Sequence, residues 1–482
     1  MDKEQAWNWI ERNKEQVIDA SDKIWEYAEL GLVEFKSSAL IADILEENGF
    51  AVERGVADMP TAFVASYGSG GPVIGVMGEY DALPGLSQKA VPHQEPIVEE
   101  ASGHGCGHNI HGTSGMAGAI AVKEVMEKNN IPGTIKFFGC PAEENYSGKV
   151  FMVRDGYFDD VDVALSHHPM SNNYAGLGST LAVNSVKFHF HGVSAHAAGS
   201  PEHGKSALDA VELMNTGVNF MREHIIEKAR VHYVIEKGGQ QPNVVPPYAR
   251  TWYYVRAPER DQVEHIYEKI LKIADGADLM VGTTHEVEFL EGTYNVLPNT
   301  RLSEIVTANM REISAPKYTD DEMKFAKEMA KTIPKEQKYE MLRQSKIPDF
   351  QKYMDVILEN SIHDPWDEGI VWPGSTDVAD VSWVTPTMEF CTTCMVLGDA
   401  GHTWQFVSLS GMSIGHKSLM FAAKTIASSA LDLLTKPEMM KQVKDEFVKR
   451  KAGREYKCAV PKDIKPPQKV AEEAAKSVPS QV

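Results

Sequence analysis

Three apolar runs, each the length of one strand, end in residues that carry acid–base or metal chemistry, and this repeated ending restricts the fold more than any other feature. Residues 72–77 run into Gly78-Glu79-Tyr80-Asp81, residues 134–139 into Cys140-Pro141-Ala142-Glu143-Glu144, and residues 161–165 into Ser166-His167-His168-Pro169. Runs apolar on both faces suit strands buried within a sheet. Open α/β sheets gather their ligands at the carboxyl ends of such strands. Asp81, the glutamate pair and the histidine pair are therefore predicted to face one crevice.

Between the first and second runs lies Gly103-His104-Gly105-Cys106-Gly107-His108-Asn109-Ile110-His111-Gly112, followed by a small-residue helix predicted over 113–129. A thiolate and a neutral imidazole are good donors for zinc-like ions, and the glycines let the chain turn tightly enough to aim both at one point. No second Cys or His pair follows at zinc-finger spacing, so the remaining ligands must come from distant segments. Adjacent glutamates in extended backbone diverge. That divergence predicts a division of labour, with Glu144 on a metal and Glu143 left free as general base.

From about residue 183 the pattern changes to period two, with Val186, Phe188 and Phe190 on one side and Ser185, Lys187, His189 and His191 on the other. Helices near 204–223 and 260–276 and strands near 231–236, 249–256 and 285–290 complete a βαββαβ order, that of a ferredoxin-like unit inserted into the larger one. The predicted division is a catalytic domain over 1–182 and 297–450, the inserted unit over 183–296, and a weakly ordered tail over 451–482. Residues 316–350, charged and without a strong apolar stripe, read as a surface excursion. Cys391-Thr392-Thr393-Cys394 reads as core rather than as a redox pair.

Acidic residues outnumber basic ones 68 to 48, a formal charge of −20, which argues against nucleic-acid or anionic-membrane partners. The charged amino terminus lacks the pattern of a signal peptide, and no apolar run is long enough to span a bilayer. Five cysteines in 482 residues make no disulfide framework. A cytoplasmic enzyme is expected.

The ordered set Gly-Glu-Tyr-Asp-Ala-Leu-Pro (78–84), Gly-Cys-Gly-His-Asn-Ile-His (105–111), Pro-Ala-Glu-Glu (141–144), His-Pro (168–169), Ser-Ala-His-Ala-Ala (194–198), Pro-Asn-Val-Val-Pro (242–246) and Gly-His-Thr-Trp-Gln (401–405) resembles a known family. This is the di-metal aminoacylase and carboxypeptidase family, in the branch holding hippurate, auxin-conjugate and aminobenzoyl-glutamate hydrolases. The resemblance implies a mixed-sheet α/β metallopeptidase domain of zinc-exopeptidase type, carrying an inserted ferredoxin-like dimerisation and lid domain. It also implies two divalent ions per subunit, Mn²⁺ or Zn²⁺, held by Cys106, His108, Glu144, His168 and His402, with His167 the rival of His168.

By the same resemblance Glu143 is the base, His196 reaches a neighbouring subunit's cleft, and Asn243 and Arg256 hold a substrate carboxylate. Where other branches carry His-x-Asp, this chain has Glu79-Tyr80-Asp81, so Cys106 stands in for the missing histidine. The implied activity is hydrolysis of an N-acyl, and more narrowly an N-aroyl, amino acid such as p-aminobenzoyl-glutamate, a step of folate catabolism, in a homodimer or with a related subunit. Two alternatives are a metallo-dipeptidase for β-alanyl or basic dipeptides and a non-catalytic metal-binding protein on the same fold. The presence of Glu143 weighs against the latter.

Overall fold

The structure, a computed structural model, describes residues 2–481. Ten strands form two sheets: β1 (Ala51–Arg54), β2 (Phe63–Ser69), β3 (Val73–Glu79), β4 (Gly133–Cys140), β5 (Val163–Met170), β6 (Ala182–His191), β7 (Arg230–Lys237), β8 (Tyr248–Ala257), β9 (Thr284–Thr293) and β10 (Thr387–Thr393). The larger sheet has the order β1-β2-β4-β3-β5-β10. Strands β4, β3, β5 and the edge strand β10 run parallel, while β1 and β2 are antiparallel additions at the opposite edge. Parallel strands need crossover helices and so carry helices on both faces. One face is covered by the helices His108–Asn129 and Ser413–Thr435 together with the amino-terminal helices, through Ile110, Ile120, Leu419 and Ile426. The other is covered by the helices Gly148–Arg154 and Val378–Val384, through Phe151, Val153 and Val381.

The smaller sheet is wholly antiparallel, in the order β7-β8-β6-β9. With the helices Ala207–Met221 and Arg260–Val281 on one face it is the ferredoxin-like arrangement. Period-two patterning explains the single buried face: Val186, Phe188, Phe190, Tyr253 and Val255 point into that layer, and their neighbours point away.

Three expectations change. The helix after the Cys/His stretch starts at His108, not near 113, because Gly107 takes a left-handed φ of 74° and opens the helix five residues early. The excursion over 316–350 joins the core instead of lying on it. Ala326, Met329 and Ile333 are buried in the main cluster, and only one side of the helices Asp320–Ala330 and Lys335–Gln344 stays wet. The tail expected to be weakly ordered packs as well: Val460 and Ala471 are buried in the second face's cluster, and the Tyr456 hydroxyl donates to Asp380 at 2.8 Å. A few apolar anchors suffice for this, and composition averages hide them.

Candidate metal centre and active site

The crevice at the carboxyl ends of β3, β4 and β5 is closed by the start of the helix His108–Asn129. Gly112 makes the close approach possible, because a Cβ there would lie 2.5 Å from the Glu79 carbonyl oxygen. Two triads of donor atoms meet at the crevice, Cys106–His108–His168 and Cys106–Glu144–His402, each with its atoms within 4.8 Å of one another. Cys106 belongs to both. Its Sγ lies 3.3 Å from His168 Nε2, and His402 Nε2 lies 3.4 Å from Glu144 Oε2. His402 is carried on a loop tied to the cysteine stretch, its backbone N–H donating to the Gly105 carbonyl at 2.9 Å.

Asp81 organises both triads without entering either. Oδ1 lies 2.7 Å from His108 Nδ1, and Oδ2 accepts the Glu144 backbone N–H at 3.0 Å. The first contact puts a proton on Nδ1 and presents the lone pair of Nε2 to the crevice. Nε2 is buried without a hydrogen-bond partner, 3.1 Å from Glu79 Oε2. Two facing acceptors call for positive charge. Burial works against charging this imidazole, yet Asp81, Cys106 and Glu79 together raise it well above the ordinary histidine value. A divalent ion answers the same demand. Burial and the Glu144 carboxylate push the Cys106 thiol up, so its thiolate too needs a cation beside it. Glu144 Oε1 is likewise buried without a partner. The donors fit a pair of divalent ions.

Glu143 and Glu144 sit in a turn rather than in extended backbone, because Ala142 takes a φ of 59° and ends β4. They still diverge. Glu144 joins the second triad, and Glu143 lies instead with Glu79 and His108. Burial, then Glu79 and Glu144, raise the Glu143 carboxyl well above the usual range. The turn is held by Glu34, which accepts the Ala142 N–H at 2.8 Å and the Thr61 hydroxyl at 2.8 Å; burial pushes its carboxyl up to about 8.

Of the histidine pair, only His168 faces the donors. His167 is a core residue, bonded to the Ser114 hydroxyl at 2.9 Å and to Thr392 Oγ1 at 2.7 Å. His196, Asn243 and Arg256 lie outside the cluster, in the smaller unit, with Arg256 on β8 and the other two on loops beyond its strands. Asn243 and His196 are together, since the Asn243 carbonyl accepts the Ala197 N–H at 3.0 Å and His196 bridges Val244. Arg256 pairs with Val183 at the other end of β8. Ten residues of strand span roughly 30 Å, so one chain cannot close Asn243 and Arg256 on a single carboxylate.

Sequence reasoning missed the buried charge beneath the donors. Lys149 Nζ lies 2.6 Å from both Glu79 Oε1 and Asp377 Oδ1. Burial opposes ionisation of Glu79, but His111, Lys149 and His108 hold its carboxyl below the usual range. His111 Nδ1 accepts the Glu79 backbone N–H at 3.0 Å, which leaves the ring proton on Nε2, 3.1 Å from the Ser166 hydroxyl. His111 is therefore a brace for Glu79. The one available signal was Glu79 itself, standing where related branches carry a ligand.

Residues 75–342 match peptidase family M20/M25/M40. Over 468 residues the chain is 41% identical to one of the two subunits of the p-aminobenzoyl-glutamate hydrolase of Escherichia coli, covering 95% of this chain and 97% of that one. It is 28% identical over 460 residues to the mouse Xaa-Arg dipeptidase, covering 92% of each. Among solved structures, a dinuclear metal-binding M20 peptidase of Bacillus subtilis superposes with a TM-score of 0.56 at 17% identity, over 88% of this chain and 99% of that one.

Proposed function

The chain belongs to peptidase family M20/M25/M40, and on that premise we propose that it hydrolyses N-aroyl amino acids of the p-aminobenzoyl-glutamate type. The observation that carries the reading is a thiolate shared by two ligand triads, with one glutamate of an adjacent pair in a triad and the other off it. Cys106, His108 and His168 would hold one ion, with Glu79 Oε2 beside them, and Cys106, Glu144 and His402 the other. A thiolate donor favours zinc, while the imidazole and carboxylate donors also suit manganese. Bound ions of this kind make a water acidic at neutral pH and polarise a carbonyl oxygen.

The chain's own groups do the rest. Glu143, with its raised carboxyl, is suited to accept the water's proton and return it to the departing nitrogen. Asp81 keeps the His108 lone pair turned to the crevice and fixes the backbone of Glu144. His196 Nδ1 accepts the N–H groups of Ala198 and Gly199 at 3.2 and 2.9 Å, so its neutral ring carries the proton on Nε2. An exposed N–H donor of this kind can serve an oxyanion in a second subunit. Asn243 beside it, and Arg256 in the first subunit, would then meet one carboxylate across the pair, which requires a homodimer or a related second subunit. The Escherichia coli hydrolase, named as having two different subunits that both resemble this chain, supports the latter. No helix among the described residues is long and apolar enough to cross a membrane, and a functional Cys106 thiolate fits a reducing compartment such as the cytoplasm.

The dipeptidase reading rests on the Xaa-Arg relative. A metal-reconstituted assay separates the two readings: N-aroyl-glutamates are expected to be cleaved faster than the same amides with a blocked α-carboxylate. A preference for dipeptides with a free N-terminal amine, or indifference to the blocked carboxylate, would displace the aroyl-glutamate reading.

A further inference from the structure

Arg230 and Arg256 stand directly opposite each other on β7 and β8, and two positions along the ladder His232 opposes Tyr254. Alternation puts all four side chains on the face of the smaller sheet that its helices do not cover. Lys228 precedes β7. Lys346, from the end of the 316–350 excursion, closes over the same face together with residues 369–373. The result is a cleft of about 620 Å³ whose lining includes two arginines, two lysines and a histidine, with Leu181, Ile370 and Val371 as its apolar part.

Among the described residues no carboxylate lines this cleft, in a chain with 68 acidic and 48 basic residues. Like charges directly across a ladder destabilise a sheet, and here the usual relief is missing. Arg230 donates to the Glu227 and Ala229 carbonyls at 2.8 Å, and the Arg256 guanidinium lies 5.2 Å from the Tyr254 ring centroid. The field of Arg256 reaches Glu291, but that carboxylate is engaged by the Ser147 hydroxyl at 2.8 Å. Ser147 belongs to the segment that follows Glu143 and Glu144, so the carboxylate nearest in field to Arg256 is tied to the chain segment that carries the glutamate pair.

We propose that this cleft binds the carboxylates of a multiply acidic leaving group, either a dicarboxylic amino acid or a short γ-linked acidic peptide built on one. The inference rests on the amidohydrolase reading above and narrows it, because four cations would repel the arginine side chain of an Xaa-Arg dipeptide. Arg256 can take one carboxylate; Arg230, Lys228 and Lys346 are then left for the charge beyond it.

Two measurements on the full-length, metal-loaded protein decide the matter. In the first, N-aroyl-glutamate is compared with N-aroyl-glutamine, which keeps the α-carboxylate and loses only the side-chain charge. The glutamine substrate should show a kcat/KM lower by roughly ten- to a hundredfold, the range for loss of a charged hydrogen bond. Arg230→Ala and Lys346→Ala should abolish that preference by lowering kcat/KM for the glutamate substrate towards the glutamine value. In the second, calorimetry follows γ-glutamylglutamate binding, which should weaken in roughly 1 M salt and be lost in both variants. If no N-aroyl amino acid is cleaved, the proposed reaction falls and the calorimetry alone decides the cleft. Binding that survives both substitutions overturns the inference. So does binding that is lost while the two substrates are cleaved equally, since the anion site would then have no connection with the substrate.

Discussion

At the residue scale, the centre divides into groups whose type could be read from the sequence and groups whose role comes only from contact. Cys106, His108, Glu144 and His402 stand out because few other functions call for these residue types among glycines and at strand ends. Lys149 does not stand out, since its partner Asp377 lies 228 residues away in the chain and its burial follows from that pairing. The choice between His167 and His168 was equally invisible, because adjacent strand residues point to opposite faces and the sequence does not say which face is the crevice. The division within the glutamate pair gives a contrast that can be measured. Glu143→Gln should keep two metal ions per chain by elemental analysis and lose several orders of magnitude in turnover, since the amide cannot accept the proton. Cys106→Ala should do the reverse at first, losing metal on dialysis and recovering part of its activity only when metal is in excess. A Glu143→Gln protein that dialyses free of metal, or a Cys106→Ala protein that keeps it, would reverse the assignment.

At the element scale, the parallel core of the larger sheet and the βαββαβ order of the smaller unit follow from apolar patterning, which reports long, regular burial. The excursion over 316–350 shows where that signal fails: its helices bury only Glu322, Ala326, Met329 and Leu342, too few for a visible stripe. Its attachment is partly ionic. Glu322 receives the Lys417 ammonium from the helix Ser413–Thr435 and the Thr319 backbone N–H. Burial opposes its ionisation, but these donors hold the carboxyl below its ordinary 4.5. A depressed folded-state value means that the attachment contributes stability in full above about pH 4.5 and loses it as the pH falls through the lower folded value. Hydrogen exchange over 316–350 should therefore accelerate under acid before the helix His108–Asn129 is affected. Glu322→Gln should show the same local loosening at neutral pH. Equal protection of both regions down to global acid unfolding would show that the ion pair does not hold the excursion.

At the scale of the whole molecule, His196, Asn243 and Arg256 are divided between two ends of the smaller sheet. His196 and Asn243 share one end and Arg256 occupies the other. The family resemblance implies that His196 serves a neighbouring subunit, but the residues by themselves carry no information on which copy of the chain completes which site. The proposed function makes each active site depend on two chains, and a subunit-mixing experiment tests that directly. His196→Ala and Glu143→Gln chains should each be inactive alone. Mixed in equal amounts under conditions that exchange subunits, they should recover at most about a quarter of the intact activity, because half of the dimers are mixed and only one site in each has both residues intact. Recovery of activity on mixing, with exchange verified by differently tagged chains, would establish that His196 acts across the interface. Verified exchange without recovery would confine His196 to its own chain or remove it from the reaction, and Asn243, bonded to the same loop, would leave the substrate site with it.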